Sequence, residues 1–199
     1  MSGSLIDLAS PNIPVPNPVI IDTNVVVAGM LAPEAQPDPA QALRANMFFS
    51  DLVARNRRAI LTPTAYSELL HVSIRMRYQQ ELRLNRHAIL VRYGTRISSW
   101  TELFKHDPTI AQQHAADLNQ LRRRLVATNM VVAGTNDLGP IRSGFPYDVE
   151  FVRLIGRYGL DTSDAAILME ANCLGVYDIV TMDDDPRRAQ LDFNIYTWM

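Results

Sequence analysis

Short apolar runs alternate with longer stretches of helical periodicity along most of this chain. Val19-Ile20-Ile21 is a β-branched run that ends abruptly in Asp22-Thr23-Asn24. With no polar alternation and a proline just before it, it predicts a strand buried on both faces of a parallel sheet. Further short runs at 59–61, 130–133, 179–182 and 193–196 predict four more strands. Between them, apolar residues recur three and four positions apart. Leu43, Met47, Phe48, Leu52 and Val53 predict a helix over 40–56, closed by Arg55, Arg57 and Arg58 where positive charge suits the helix dipole. Thr62-Pro63 reads as the cap and first residue of the next helix, whose stripe is Ala65, Leu69, Val72 and Met76.

Residues 80–127 read as helical throughout. Leu82, Leu84, Ile89, Leu90 and Trp100 fill one or two helices, and Asp107-Pro108 starts another that runs to Leu125. The stretch 134–147, with three glycines and two prolines, reads as a loop whose length next to a possible site suggests a substrate-side lid. Helices follow over 148–158, stopped by Gly159, and from the capping residues 161–163 to Gly175. Residues 1–18 are proline-rich and predict an extended arm without a core of its own, and prolines at 33, 37 and 39 make the 32–39 link non-helical. Strands alternating with helices imply a three-layer α/β/α sandwich around a central parallel sheet, one domain over 19–199, with 80–127 as an added helical section.

Composition changes this picture little. The 199 residues suffice for one sizeable core, and a net charge of −2 gives no global field toward nucleic acid, so any basic surface is local. Lys105 is the single lysine against eighteen arginines, a bias that suits phosphate recognition but also arises from coding preference alone. Arg122-Arg123-Arg124 reads first as a solvated run and second as a phosphate track. The lone Cys173 excludes an internal disulfide and a thiolate zinc cluster. With neither a signal-type N-terminus nor a membrane-length apolar run, the expected location is the cytoplasm.

The candidate chemistry lies in carboxylates. Asp22 and the acids Asp183, Asp184 and Asp185 stand at the carboxyl ends of predicted strands, the edge where open α/β sheets bind ligands. Glu68 falls on or beside an apolar helical stripe, and Asp164 is in line with Leu168 and Ala171. Each has a structural explanation: Arg75 as partner for Glu68, the helix dipole for Asp164. Together, however, Asp22, Glu68, Asp164 and one of the late acids form an all-oxygen donor set that suits Mg²⁺ or Mn²⁺. Such an ion lowers the pKa of bound water and neutralises a phosphoryl oxygen, and two ions about 3.5–4 Å apart would clamp attacking and leaving oxygens. Asn24 and Thr181 are suited to orienting those ligands. The four histidines show no pair at ligand spacing and read as surface or packing residues. Phosphate-loop and serine-elbow motifs do not occur.

Four blocks carry a family resemblance: Ile21-Asp22-Thr23-Asn24-Val25, Pro63-Thr64-Ala65-Tyr66-Ser67-Glu68-Leu69, Tyr158-Gly159-Leu160-Asp161-Thr162-Ser163-Asp164-Ala165 and Ile179-Val180-Thr181-Met182-Asp183-Asp184-Asp185. In this order they resemble the PIN domain ribonucleases, which include the VapC-type toxins. The resemblance implies Asp22, Glu68, Asp164 and Asp183 as the acidic metal site, favours Asp183 over Asp184, matches Asp185 to a more variable acid, and supports Asn24 and Thr181 in auxiliary positions. It also implies RNA as substrate, a homodimer and, for a toxin, an antitoxin partner. Pro186 stands where the family often has a phenylalanine, and the 80–127 helices exceed the compact toxin form.

Two other functions are expected to compete with a metal-dependent endoribonuclease. A phosphatase similar to the haloacid dehalogenases would need a second aspartate where Asn24 stands, and only Lys105 to serve as its lysine. A binding-only module would gain nothing from crowded carboxylates.

Overall fold

The computed structural model describes residues 3–10, 13–31, 38–141 and 143–199. Six strands form one all-parallel sheet: β1 (Leu5–Asp7), β2 (Val19–Ile21), β3 (Ala59–Leu61), β4 (Met130–Val132), β5 (Asp178–Val180) and β6 (Asn194–Thr197). Their spatial order is β1-β6-β5-β2-β3-β4. From β2 the chain moves outward through β3 and β4, then returns to the other side of β2 for β5 and β6. The reversal lies between β2 and β5, so the carboxyl ends of those two strands flank the topological switch point.

Burial explains the strand sequences. Val19, Ile20 and Ile21 have no exposed surface, because helices cover both faces of a central parallel strand. Register places Ile20 beside Ile179 and Ile21 beside Val180, and the Asp22 amide donates to Val180 O at 2.9 Å. That bond carries the pairing one residue past β2 and sets Asp22 next to Thr181.

Nine α-helices are found among the described residues: α1 (Thr23–Met30), α2 (Pro39–Ala54), α3 (Pro63–Leu84), α4 (Arg86–Tyr93), α5 (Trp100–His106), α6 (Thr109–Gln113), α7 (Ala115–Ala127), α8 (Tyr147–Tyr158) and α9 (Thr162–Leu174). Thr62 caps α3, accepting from the Ala65 amide at 3.3 Å, and Pro63 opens the helix, as the sequence predicts. Gly159 ends α8 and Gly175 ends α9, with φ of 62° and 69° in the left-handed region that favours glycine. Where α1 meets α2, Gly29 is required for another reason: a Cβ there would lie 2.2 Å from the Phe49 ring.

The structure departs from the sequence reading in three places. Residues 1–18, read as an arm without a core, carry the edge strand β1, paired with β6 from Leu5 beside Ile195 to Asp7 beside Thr197, and Val15 is buried. The α2 stripe is displaced: Leu43, Met47 and Val53 are exposed, and Ala45, Phe48, Phe49 and Leu52 face inward. The helix expected from Asp107 breaks at His114 into α6 and α7. Most of the 32–39 link lies outside the described residues; of it, Asp38 accepts from the Ala40 amide and caps α2.

The 80–127 section packs with α3 around a second small core of Tyr78, Ile89, Ile97, Leu103 and Ile110. Asp107 is buried at its centre, accepting from Arg92 and Tyr93 at 2.8 Å each and from Thr109. The Tyr78 hydroxyl, at the far end of α3, donates to Asp107 O at 2.7 Å. No described helix is long and apolar enough to cross a membrane.

Candidate active site

A cleft of about 730 Å³ opens at the switch point. Asp22 reaches it from the end of β2, Glu68 from the second turn of α3, Asp164 from the first turn of α9, and Asp183 and Asp185 from just after β5. Asp38 and Asp161 complete seven carboxylates, against Arg75 as the one guanidinium of the lining among the described residues. A chain of net charge −2 has concentrated a third of its acids around one opening.

Asp22 is buried at the bottom. Its Oδ2 accepts from Thr181 Oγ1 at 2.6 Å and from Asn24 Nδ2 at 2.8 Å. Thr181 Oγ1 accepts in turn from Asn24 Nδ2 (3.2 Å) and from the Asp183 amide (2.9 Å), while Asn24 Oδ1 accepts from the Met182 amide at 3.0 Å. The two strand ends are thus knitted together by side chains, and Asp22 has a fixed plane. Thr181 lies beneath the cleft rather than on its surface, with no exposure.

Glu68 is held separately, accepting from Thr23 Oγ1 at 2.7 Å. The Arg75 partner that a structural role for Glu68 would require does not form an ion pair with it. Asp164 receives no arginine either among the described residues; its amide donates to the capping carboxylate of Asp161 at 2.8 Å. Asp184 is exposed, paired with Arg187 at 3.0 Å and outside the cleft lining, whereas Asp185 is part of the lining and pairs with Arg188 at 2.7 Å.

The electrostatic consequence is direct. Burial, with Glu68 and Asp183 as negative neighbours, pushes the Asp22 carboxyl up to about 6 despite its hydrogen bonds from Thr181 and the Thr23 amide. Burial, and the charges of Asp22, Asp161, Asp183 and Asp185, push Asp164 up to about 7. Among the described residues no side-chain cation is paired with either. Among the described residues, no three Asp, Glu, His or Cys side chains are already set to hold a metal ion. The donor chemistry of the lining, oxygen throughout except for His71, nevertheless matches what a hard divalent cation takes.

No protein-family model matches this chain. A search of curated proteins also returns no match. The fold itself is Rossmann-like, an α/β sandwich on six parallel strands.

Sequence reasoning did not assign four other residues to the lining. His71 lies one turn beyond Glu68 on α3, its ring edge-on to Trp100 with centroids 5.3 Å apart. Asp38, Gln41 and Ser163 arrive from other elements. Only the spacing of His71 from Glu68 and Arg75, three and four residues, hinted at a shared helix face. Lys105, which a phosphatase would need, is exposed on α5 and absent from the cleft, and Asn24 donates to Asp22 instead of supplying a second carboxylate.

Proposed function

We propose that this chain is a divalent-metal-dependent endoribonuclease of the PIN type that hydrolyses RNA phosphodiester bonds. The observation that carries the reading is the meeting of Asp22, Glu68, Asp164 and Asp183, drawn from four separated segments, in one cleft without a described arginine or lysine paired to any of them. Crowded carboxylates held above their ordinary pKa are a standing cost unless a cation relieves them.

In this reading Asp22, Glu68, Asp164 and Asp183 hold Mg²⁺ or Mn²⁺. When bound, the ion supplies a hydroxide-like water at neutral pH and neutralises charge on the phosphoryl group. Thr181 and Asn24 orient Asp22 through its Oδ2, and Thr23 orients Glu68 through Oε2. Asp22 and Asp164, both held above the ordinary carboxylate range by burial and neighbouring charge, would hold such an ion as carboxylates. Arg75, the one guanidinium among the described residues of the cleft lining, would hold a phosphate oxygen of the bound strand.

The test is a mixed RNA pool with purified protein, with and without Mn²⁺, against Asp22→Asn. Manganese-dependent cutting that the variant loses while keeping its circular dichroism is expected. Cutting at equal rate by the variant would remove Asp22 from the mechanism, and RNA retention without cutting in either state would make this a binding module. A homodimer, an antitoxin partner and a cytoplasmic location belong to the same proposal; sedimentation of the purified protein tests the first.

A further inference from the structure

A second opening of about 730 Å³ adjoins the acidic cleft and shares Val27, Val72 and Arg75 with it. It runs between α3 and α7, and its charge is opposite. Among the described residues four arginines line it, Arg75, Arg77, Arg83 and Arg124, against one carboxylate, Asp117.

Two of the four are structurally committed. Arg124 donates to Met30 O at 2.6 Å, and Arg77 lies 3.4 Å from Glu81. Arg75 and Arg83 form no ion pair with a described residue and are exposed. They stand eight residues apart on one helix, hence on one face and about 12 Å apart along the axis. The same face carries Glu68 seven residues before Arg75, so one helix leads from the acids to two unpaired guanidiniums.

The floor differs from the rim. Met30, Met76 and Leu121 give it apolar surface, with the amides of Gln79 and Gln120 beside them. The walls are tied together below: Ser73 Oγ and His114 Nε2 are 3.0 Å apart, and His114 Nδ1 and the Asp117 carboxylate 2.8 Å. That contact engages the groove's one acid and fixes α7 against α3.

We infer that this groove seats single-stranded RNA running out of the cleft, with flanking phosphates on Arg75 and Arg83 and unpaired bases on the apolar floor. The inference rests on the nuclease reading of the cleft and deepens it. A net charge of −2 gives no global attraction to RNA, and seven carboxylates repel it, so affinity has to come from a local basic surface. A duplex keeps its bases paired inside and offers phosphates only, leaving the floor unused. A single strand presents both chemistries at once. The helical section thereby acquires a role, since α7 supplies one wall.

The probe is a fluorescein-labelled oligoadenylate RNA of about twelve nucleotides, titrated in EDTA so that cutting does not intervene. Arg75→Ala/Arg83→Ala should weaken binding at least tenfold and lower the slope of log K against log salt by about 1.4, two phosphates at ~0.7 each. Arg122→Ala/Arg123→Ala removes the same charge from exposed α7 positions outside the groove and should change neither. The oligoadenylate annealed to its complement should bind the wild type more weakly than the single strand. Unchanged binding in the groove variant, or equal weakening in both variants, overturns the inference, as does preference for the duplex. Asp22→Asn keeps the groove and should bind at least as well as the wild type, while its manganese-dependent cutting reports separately on the nuclease reading.

Discussion

At the scale of single residues, the site is governed by the balance between Asp22 and the groups that hold it. Thr181→Val keeps the shape and removes the donor at 2.6 Å from Asp22 Oδ2. Loss of such an orienting group costs roughly 10–100-fold in metal affinity or activity, so manganese-dependent cutting should fall by that factor, and the unfolding free energy in urea by about 1–3 kcal/mol. Asp22 and Asp164 also set a pH dependence. Both titrate higher in the folded protein, at about 6 and about 7, than their ordinary 3.8. Between these values the folded chain holds protons that the unfolded chain has released. Their contribution is therefore whole below pH ~4 and is lost as pH rises through 6 and 7, at about 1.4 kcal/mol per pH unit of displacement for a fully buried group. Asp22→Asn should accordingly raise the melting temperature in EDTA at pH 7.5, and the difference from wild type should vanish below pH 4. Added Mn²⁺ should stabilise the wild type far more than this variant. Asp22, Asn24 and Thr181 were legible in the sequence because strand ends announce themselves where an apolar run stops at polar residues. His71, Gln41 and Ser163 were not, because nothing local marks a residue whose role is set by what folds against it.

Among elements, α3 and α9 carry one acid each, and their relative position is set by Glu170. Its buried carboxylate accepts from the Thr64 amide at 3.0 Å and from Thr64 Oγ1 at 2.8 Å, so α9 caps the N-terminus of α3 from the side. Glu170→Ala leaves that amide without its partner in a part-buried setting. It should cost about 1–3 kcal/mol in chemical denaturation and reduce cutting as well, although Glu170 is not in the cleft lining. Helix starts and stops were read well where proline and glycine fix the backbone, as at Pro63, Gly159 and Gly175. Faces were read less well. Leu43 and Met47 fit an apolar stripe as well as Ala45 and Phe49 do; contact with Gly29 on α1, rather than residue type, decides which side turns inward. The stripe on α3 shifts from Ala65 and Leu69 to Ser73 and Tyr78, because the helix leaves the sheet midway and enters the second core. β1 was missed because Leu5-Ile6-Asp7 is only half-buried and breaks off at a charge, whereas the equally short β2 and β3 are continuous apolar runs.

For the molecule as a whole, two cores on one long helix imply two units of stability. The sheet core is large, whereas the second rests on five buried apolar residues around Asp107. Asp107→Asn weakens the acceptor for Arg92, Tyr93 and Thr109, and hydrogen exchange should accelerate in α4, α5 and α6 while β2 and β5 keep their protection. The sandwich was foreseeable from alternating strand and helix patterns; the switch point that places the site was not, since strand order is set by pairings between distant runs. One of these links has a further consequence. The bond from Thr181 to Asp22 joins positions 159 residues apart. Severing the backbone in the 134–146 loop would leave Asp22 and Glu68 on one fragment and Asp164 and Asp183 on the other. On the proposed nuclease reading neither piece would cut RNA alone, and cutting would return only when the two halves found each other, so the split chain would report its own reassembly.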